Sequence, residues 1–303
     1  MKVAITGAAG FIGTHVALDW LTAGAQVRAL RRRATAVPEV LASRVEWVEG
    51  DLAQSEIPPG FPGDVDLCIH LAALYAEGEQ HWAALKATNG TGTSRVLEAC
   101  DRDRVGRFVY VGTMGTRTPP PGGGIATEGD QVDPAKASAY ARSKALGESL
   151  ALAWTGGEVV VALPAAPIGA FDFRPSVTGA RVLDALCGRY PRMLQGAVNY
   201  VAAPGLAVGI RLVGLSGRAG RAYLLGGENL GPQAFLARLC EAANVPQPSR
   251  TLMDRLRGRR LPEPGSLAID DSRAREELGY RPGDLDQAFR DAAQDFRRRG
   301  LSP

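Results

Sequence analysis

The chain has 303 residues, 45% of them hydrophobic and 22% charged, with 37 glycines and 20 prolines. That length suits one large α/β unit or a cofactor domain with a smaller partner, and the composition is that of a globular chain with a sizeable core, so a peptide module and wholesale disorder are excluded. Lys plus Arg at 35 against Asp plus Glu at 32 leaves a formal charge of +3, too mild to create a nucleic-acid or membrane field, and neither is expected as a partner.

The opening MKVAITGAAGFIG reads as a strand and a glycine turn, without the features of a signal peptide, and no stretch approaches the roughly 18 apolar residues of a membrane span, so a cytoplasmic location is the expectation. Val3-Ala4-Ile5 stops at Thr6-Gly7, and Gly13 to Ala23 then repeats apolar residues at helical spacing. Strands are predicted at Gln26–Leu30, Val45–Val48, Val65–Leu71, Phe108–Val111 and Val159–Leu163, with helical patterns between most of them. This alternation predicts an α/β fold, a Rossmann doubly wound parallel sheet with helices on both faces. After Pro164 the chain is broken by Pro167, Pro175, Pro191 and Pro204, and a smaller C-terminal α/β substrate-binding region is predicted. The division is a dinucleotide-binding domain over 1–164, with a return segment near 198–216, and a substrate-binding region over 165–197 and 217–303. Within the latter, Arg221–Leu225 reads as a strand and Pro232–Ala243 as a helix with proline in its first turn. Residues 246–264 read as a basic loop or short exposed helix, Asp270–Leu278 as a helix stopped at Gly279, and Leu285–Arg299 as an amphipathic helix with a solvated arginine end. Cys68, Cys100, Cys187 and Cys240 have no short spacing and read as reduced core thiols. The histidines are only His15, His70 and His81, too few and scattered for a metal cluster, and no metal is expected.

Chemistry is carried by a few short segments. Gly7, Gly10 and Gly13, with Phe11 and Ile12 between them, follow the first strand and open the first helix. A tight turn, close backbone approach and a helix N-terminus are what a pyrophosphate needs. The residue facing the adenosine ribose is expected about 20 positions on, where the chain reads Arg31-Arg32-Arg33 with no carboxylate. A guanidinium fork suits a 2′-phosphate, so NADP(H) is preferred with NAD(H) possible; the alternative is a solvated charge run. Asp51-Leu52, after the third strand, is placed to touch the adenine end or to form a surface turn. His70 reads as a buried strand histidine, and Leu71, Ala72 and Ala73 after it leave room for the cofactor backbone. Tyr140 and Lys144 lie four apart on one helical face, where an ammonium beside a phenol lowers the phenol pKa. Thr113, at the end of the fifth strand, offers a hydroxyl opposite Tyr140.

With these residues in this order, the chain resembles the extended short-chain dehydrogenase/reductases over essentially its whole length. The matching features are Gly7, Gly10 and Gly13, Asp51-Leu52, His70 to Ala73, Asn89 in Asn-Gly-Thr-Gly-Thr, Thr113, Tyr140 with Lys144, and Pro164. Leu163 to Gly169 and Tyr223 to Asn229 look like the dihydroflavonol-reductase and hopanoid-associated sugar-epimerase-like branch of this NAD-dependent epimerase/dehydratase superfamily. The resemblance implies that Tyr140 is the proton donor or base. It implies that Lys144 binds the nicotinamide ribose and tunes Tyr140, that Thr113 hydrogen-bonds the substrate oxygen, and that Asn89 supports the site through a helix distortion and its backbone. Arg32 matches the arginine of the branch's NADPH-using reductases. The chain departs from the family pattern at Gly112-Thr113 where two serines are usual, at Leu163, at Ala170, and at Val201 to Gly205 where His-Val-Asp-Asp is typical.

The leading reading is an NADPH-dependent carbonyl reductase acting on a small or medium apolar ketone or aldehyde. A sugar-nucleotide epimerase or dehydratase with bound NAD is the alternative, for which Arg174, Arg181, Arg189 and Arg192 would supply cations; a non-catalytic dinucleotide-binding protein is the third. A homodimer through the helices holding Asn89–Cys100 and Tyr140–Trp154 is expected from relatives, the apolar spacing of Val96, Leu97 and Cys100, and of Leu146, Leu150 and Trp154, allowing either that contact or one with the sheet. The substrate pocket is expected to be lined from residues 74–82, 114–124 and 168–200, with Gly122 to Gly124 able to move as a lid or simply forming a surface turn.

Overall fold

The computed structural model describes residues 1–54, 56–120, 124–249 and 266–303. Seven strands form one parallel sheet: β1 (Lys2–Thr6), β2 (Gln26–Arg31), β3 (Glu46–Glu49), β4 (Leu67–His70), β5 (Arg107–Val111), β6 (Glu158–Pro164) and β9 (Ala222–Leu225), in the order β3-β2-β1-β4-β5-β6-β9. The inner strands are near-continuous apolar runs because both faces are covered; β4 and all but the ends of β6 are buried. Alternation along β5 shows the two faces. Val109 lies under Gly214 of α6 (Ala203–Ser216), close to Trp20 of α1 (Phe11–Thr22), whereas Tyr110 lies under Gly147 of α4 (Ala139–Leu152), which packs with α3 (Gly92–Arg102).

The strand order reverses between β1 and β4, and register places the carboxyl ends together: Thr6 of β1 pairs with Leu30 of β2 and His70 of β4. The glycine turn, the arginines after β2 and the small residues after β4 therefore emerge at one edge, the crevice where such sheets bind ligands.

A second, three-stranded sheet is built from β7 (Ala166–Ile168), β8 (Val198–Ala202) and β10 (Glu228–Leu230), β8 in the centre. Around it lie α5 (Val177–Leu186), α7 (Pro232–Ala243) and α9 (Leu285–Arg298), while α8 (Ser272–Leu278) packs on α6 and on β9 of the large sheet. Tyr200, Phe235 and Phe289 stack in its core with ring centroids 4.4 and 5.5 Å apart. Two boundaries differ from the sequence reading. β9 falls within the span read as substrate-binding, yet it is hydrogen-bonded to β6 as the seventh strand of the large sheet, while β8, read as part of the return segment, belongs to the small sheet. α6 does return, packing on α1.

After β8 the chain joins its two parts by backbone contact: a Cβ at Gly205 would lie 2.0 Å from the Pro282 carbonyl oxygen. The helix end read as solvated is instead partly engaged, Arg299 donating to the Asp172 and Phe173 carbonyls at 2.8 and 2.6 Å. Val96, Leu97 and Cys100 are buried in the chain's own core, so their apolar spacing is spent on the sheet. Gly122, Gly123 and residues 250–264 of the basic segment lie outside the described residues. Among the described residues no helix is long and apolar enough to cross a membrane.

Candidate active site

The turn after β1 is closed by its own glycines. Gly7 has φ +77°, a Cβ there would lie 2.8 Å from the Ala72 nitrogen, and one at Gly13 would lie 2.0 Å from the Gly7 carbonyl oxygen. Only glycine holds the turn this close to the 71–73 segment while leaving the backbone bare at its mouth. Gly10 is exposed and caps α1, with Phe11 and Ile12 half-buried in the first turn. The free N–H groups of that turn point outward as a ready anion site, so the cradle fits the pyrophosphate of a dinucleotide.

Leu71 and Ala72 line the same crevice half-buried, and Ala73 is exposed. They are held by a directional chain of hydrogen bonds. The Ala72 N–H donates to Thr6 Oγ1 at 3.1 Å, Thr6 Oγ1 lies 2.8 Å from His70 Nδ1, His70 Nε2 lies 3.1 Å from Thr93 Oγ1, and Thr93 donates to the Asn89 carbonyl at 2.7 Å. Satisfying every member requires a neutral His70 protonated at Nε2. Burial holds it so, pushing its pKa down to about 3 with the Lys144 charge as a smaller cause.

Asn89 sits in a π-helical turn, Lys86–Thr91, between α2 (Trp82–Leu85) and α3. Its amide clips the backbone of Leu74, accepting from the N–H at 2.7 Å and donating to the carbonyl at 2.9 Å, and it donates to Ser143 on α4 at 2.9 Å. The helix distortion expected at this residue is present, and its side chain, not only its backbone, does the holding.

α4 begins at Ser138, whose hydroxyl accepts from the Ala141 N–H, and brings Tyr140 and Lys144 to the crevice. Lys144 is 2% exposed and donates to the Val111 carbonyl at 2.8 Å, its Nζ 4.6 Å from the Tyr110 ring centroid. Burial pushes its pKa down to about 7, opposed by the Glu148 carboxylate. The shift at Tyr140 runs opposite to the sequence expectation: burial pushes its phenol up to about 12, because desolvation outweighs a lysine whose Nζ is engaged with the β5 carbonyl. Thr113 is half-buried at the end of β5, its Oγ1 accepting from the Gly115 N–H at 3.2 Å as the cap of a short 3₁₀ turn, Met114–Thr116. Pro164 ends β6, half-buried beside Leu225.

At the adenosine side, Arg31 pairs with Glu49 at 2.8 Å, whereas Arg32 and Arg33 are exposed and carry no ion pair among the described residues. Asp51 forms a turn, its Oδ1 accepting from the Ala53 N–H, and Leu52 is buried with its carbonyl taking a 2.6 Å bond from Arg95.

A cavity of about 560 Å³ opens beside Tyr140, walled by Tyr75 to Gly78, by Arg181 and Asp184 of α5, and by Arg192 to Leu194. Two of the three expected stretches line it; residues 114–120 and 124 do not. Of the four arginines considered for a diphosphate, Arg181 and Arg192 reach the cavity, while Arg189 pairs with Asp184 at 2.8 Å. Sequence reasoning did not single out Tyr75, whose ring meets Tyr140 edge-on at 4.7 Å and whose hydroxyl donates to Glu77 at 2.8 Å. It also missed Glu148, one turn beyond Lys144, whose spacing was the available signal. Among the described residues no group of three or more His, Cys, Asp or Glu side chains is placed to hold a metal.

This geometry has known counterparts. The model of the NAD dependent epimerase/dehydratase family matches residues 3–196. The chain is 29% identical over 331 residues to a Synechocystis sp. protein provisionally named a dihydroflavonol 4-reductase, covering 98% of this chain and 94% of that one. It is 30% identical over 329 residues to sterol demethylase protein B of Methylococcus capsulatus, covering 99% and 100%. Among solved structures, it is similar to the Bordetella bronchiseptica enzyme WbmH in complex with NAD+, at TM-score 0.77 and 25% identity, with 99% of each chain covered. The match across the glycine cradle, the 71–73 segment and the Tyr140–Lys144 helix means that the chain belongs to the NAD dependent epimerase/dehydratase family of extended short-chain dehydrogenase/reductases, and is an enzyme of that NAD(P)-dependent kind.

Proposed function

We propose that the protein is an NADPH-dependent carbonyl reductase acting on a small ketone or aldehyde. The observation that carries this reading is the placement of Tyr140 on the cavity wall with Lys144 buried one turn behind it. The exposed Arg32 and Arg33 at the β2 end add the preference for a 2′-phosphate, which an acidic residue would repel. When bound, the nicotinamide supplies the hydride. Tyr140, its phenol held protonated by burial, gives its proton to the carbonyl oxygen as the carbon is reduced, leaving an alcohol. Thr113 turns its hydroxyl toward the same oxygen, and Lys144 restores positive charge beside the phenolate that forms. The cavity walls fix the carbonyl relative to Tyr140.

A second reading, a sugar-nucleotide epimerase or dehydratase holding NAD through its cycle, is favoured by Arg181 and Arg192 on the cavity, which suit a substrate diphosphate. A dinucleotide-binding protein without turnover is disfavoured by the retention of Tyr140 and Lys144. The test is a fluorescence titration of purified protein with NADPH and NADH after analysis for co-purified nucleotide, followed by a panel of ketones and aldehydes. Exchangeable, preferential NADPH binding with carbonyl-dependent oxidation is the expected result; tightly retained NAD with no carbonyl turnover would replace this reading by the second.

A further inference from the structure

Behind the candidate site lies a buried charged group that the proposed chemistry does not use. Glu148 is 4% exposed on α4, in line with Tyr140 and Lys144 at successive turns. Its carboxylate is gripped by Arg117, itself 3% exposed, through Nη2 to Oε1 at 2.5 Å and Nη1 to Oε2 at 3.2 Å, with Thr116 Oγ1 at 3.5 Å from Oε2. Arg117 immediately follows the 3₁₀ turn that Thr113 caps, and its Nη1 also donates to Thr116 Oγ1 at 2.7 Å. Its Nε donates to the Glu128 carbonyl at 2.8 Å, and Glu128 in turn accepts from the Leu224 N–H of β9 at 3.0 Å. One forked ion pair thus ties the turn bearing Thr113 to the helix bearing Tyr140 and Lys144, and anchors both to the far edge strand.

A lone buried pair is seldom a net source of stability, since desolvation offsets its attraction. A fork of fixed geometry does, however, set direction and distance between the elements it joins. We infer that the Arg117–Glu148 pair is a positioning device, which fixes the Thr113 hydroxyl against Tyr140 and Lys144 from behind the reacting groups. The inference rests on the reductase reading for what is positioned, and on the contacts above for how. The groups facing Lys144 are Tyr140 and Glu148 on its own helix, Tyr110 on β5 and the neutral His70 on β4. Glu148 is the only anion among them, so its carboxylate also favours the ammonium.

The test compares Glu148→Gln, Arg117→Lys and the double variant Arg117→Met/Glu148→Gln with the full wild-type chain. The chain has four lysines, so protein labelled with ¹³C at lysine Cε gives resolvable signals, and Lys144→Arg assigns the one that matters. In Glu148→Gln, kcat for NADPH oxidation with the best carbonyl of the panel is expected to fall about 10- to 100-fold with KM little changed, as for a misplaced reacting group, and Lys144 to titrate at lower pH than in wild type. Arg117→Lys, which keeps the charge but loses the fork, is expected to lower kcat while leaving the Lys144 titration in place. The double variant is expected to regain thermal stability without regaining kcat. Recovery of kcat together with stability, or a Lys144 titration unmoved by Glu148→Gln, would overturn the inference. If wild type reduces no carbonyl, the reductase reading fails by itself, and the lysine titration still decides: a shift supports the role of Glu148 and its absence removes it.

Discussion

Gly112 and Leu163 compete for one volume: a Cβ at Gly112 would lie 2.7 Å from Leu163 Cδ2. Leu163 is fully buried on β6 and fills the place of a side chain at the end of β5. Gly112→Ser should therefore cost about 1–3 kcal/mol by overpacking. Combined with Leu163→Ala it should destabilise less than the sum of the two single changes. Urea midpoints of the four proteins check this, and strict additivity would show that the two side chains do not share space.

Tyr140→Phe removes the proposed proton donor and little volume. Turnover is expected to fall by about 10²–10⁴, with NADPH affinity held within a few-fold because the glycine cradle and Arg32 are untouched. Initial rates and fluorescence titration measure the two effects; wild-type rates in this variant would remove Tyr140 from the reaction.

Arg32→Asp replaces an exposed cation at the β2 end with an anion. NADPH affinity should drop at least tenfold, in line with about 1.5–3 kcal/mol for a charge-assisted hydrogen bond, while NADH affinity stays nearly constant. An equal loss for both nucleotides would place the 2′-phosphate elsewhere.

The pH dependence follows from Lys144. Its pKa lies near 7, below its ordinary 10.5, so in the unliganded enzyme the charged form is lost as pH rises through 7, and kcat/KM for reduction should decline along that limb. The Tyr140 phenol, pushed up to about 12, should add no limb below that pH. The same shift has a stability sign. Between about 7 and 10.5 the unfolded chain holds a proton that the native chain has released, so this group's contribution rises with pH across that window, and its burial cost is full below it. Lys144→Met should accordingly raise the melting temperature, by more near pH 6 than near pH 9; a gain independent of pH would contradict the assignment.

The elements most legible in the sequence are those whose pattern is set locally. β1, β4, β5 and β6 announce themselves as short apolar runs because both sheet faces are covered, and Pro232–Ala243 is a helix with the bounds its proline and left-handed Asn244 imply. The Tyr140–Lys144 spacing is equally local. What depends on distant pairing was not readable. The four-residue run of β9 gives no sign of which strand it will meet, and Arg117 lies 31 residues from Glu148. The direction of the Tyr140 shift belongs to the same class: a spacing of four shows that a lysine is near, but not that its Nζ is taken by Val111 and that burial prevails.

β9 also decides how the chain can be divided. Its four residues close the edge of the large sheet after the polypeptide has already built much of the small one, and they hold Leu224 against Glu128 and, through it, Arg117. A fragment ending at 164 would carry every glycine of the cradle and both Tyr140 and Lys144, yet it would expose the flank of β6 and strip the outer anchor from the turn that bears Thr113. The large sheet is thus unfinished until two strands of the small one have been passed in sequence, and a cut at 164 does not separate two self-contained pieces.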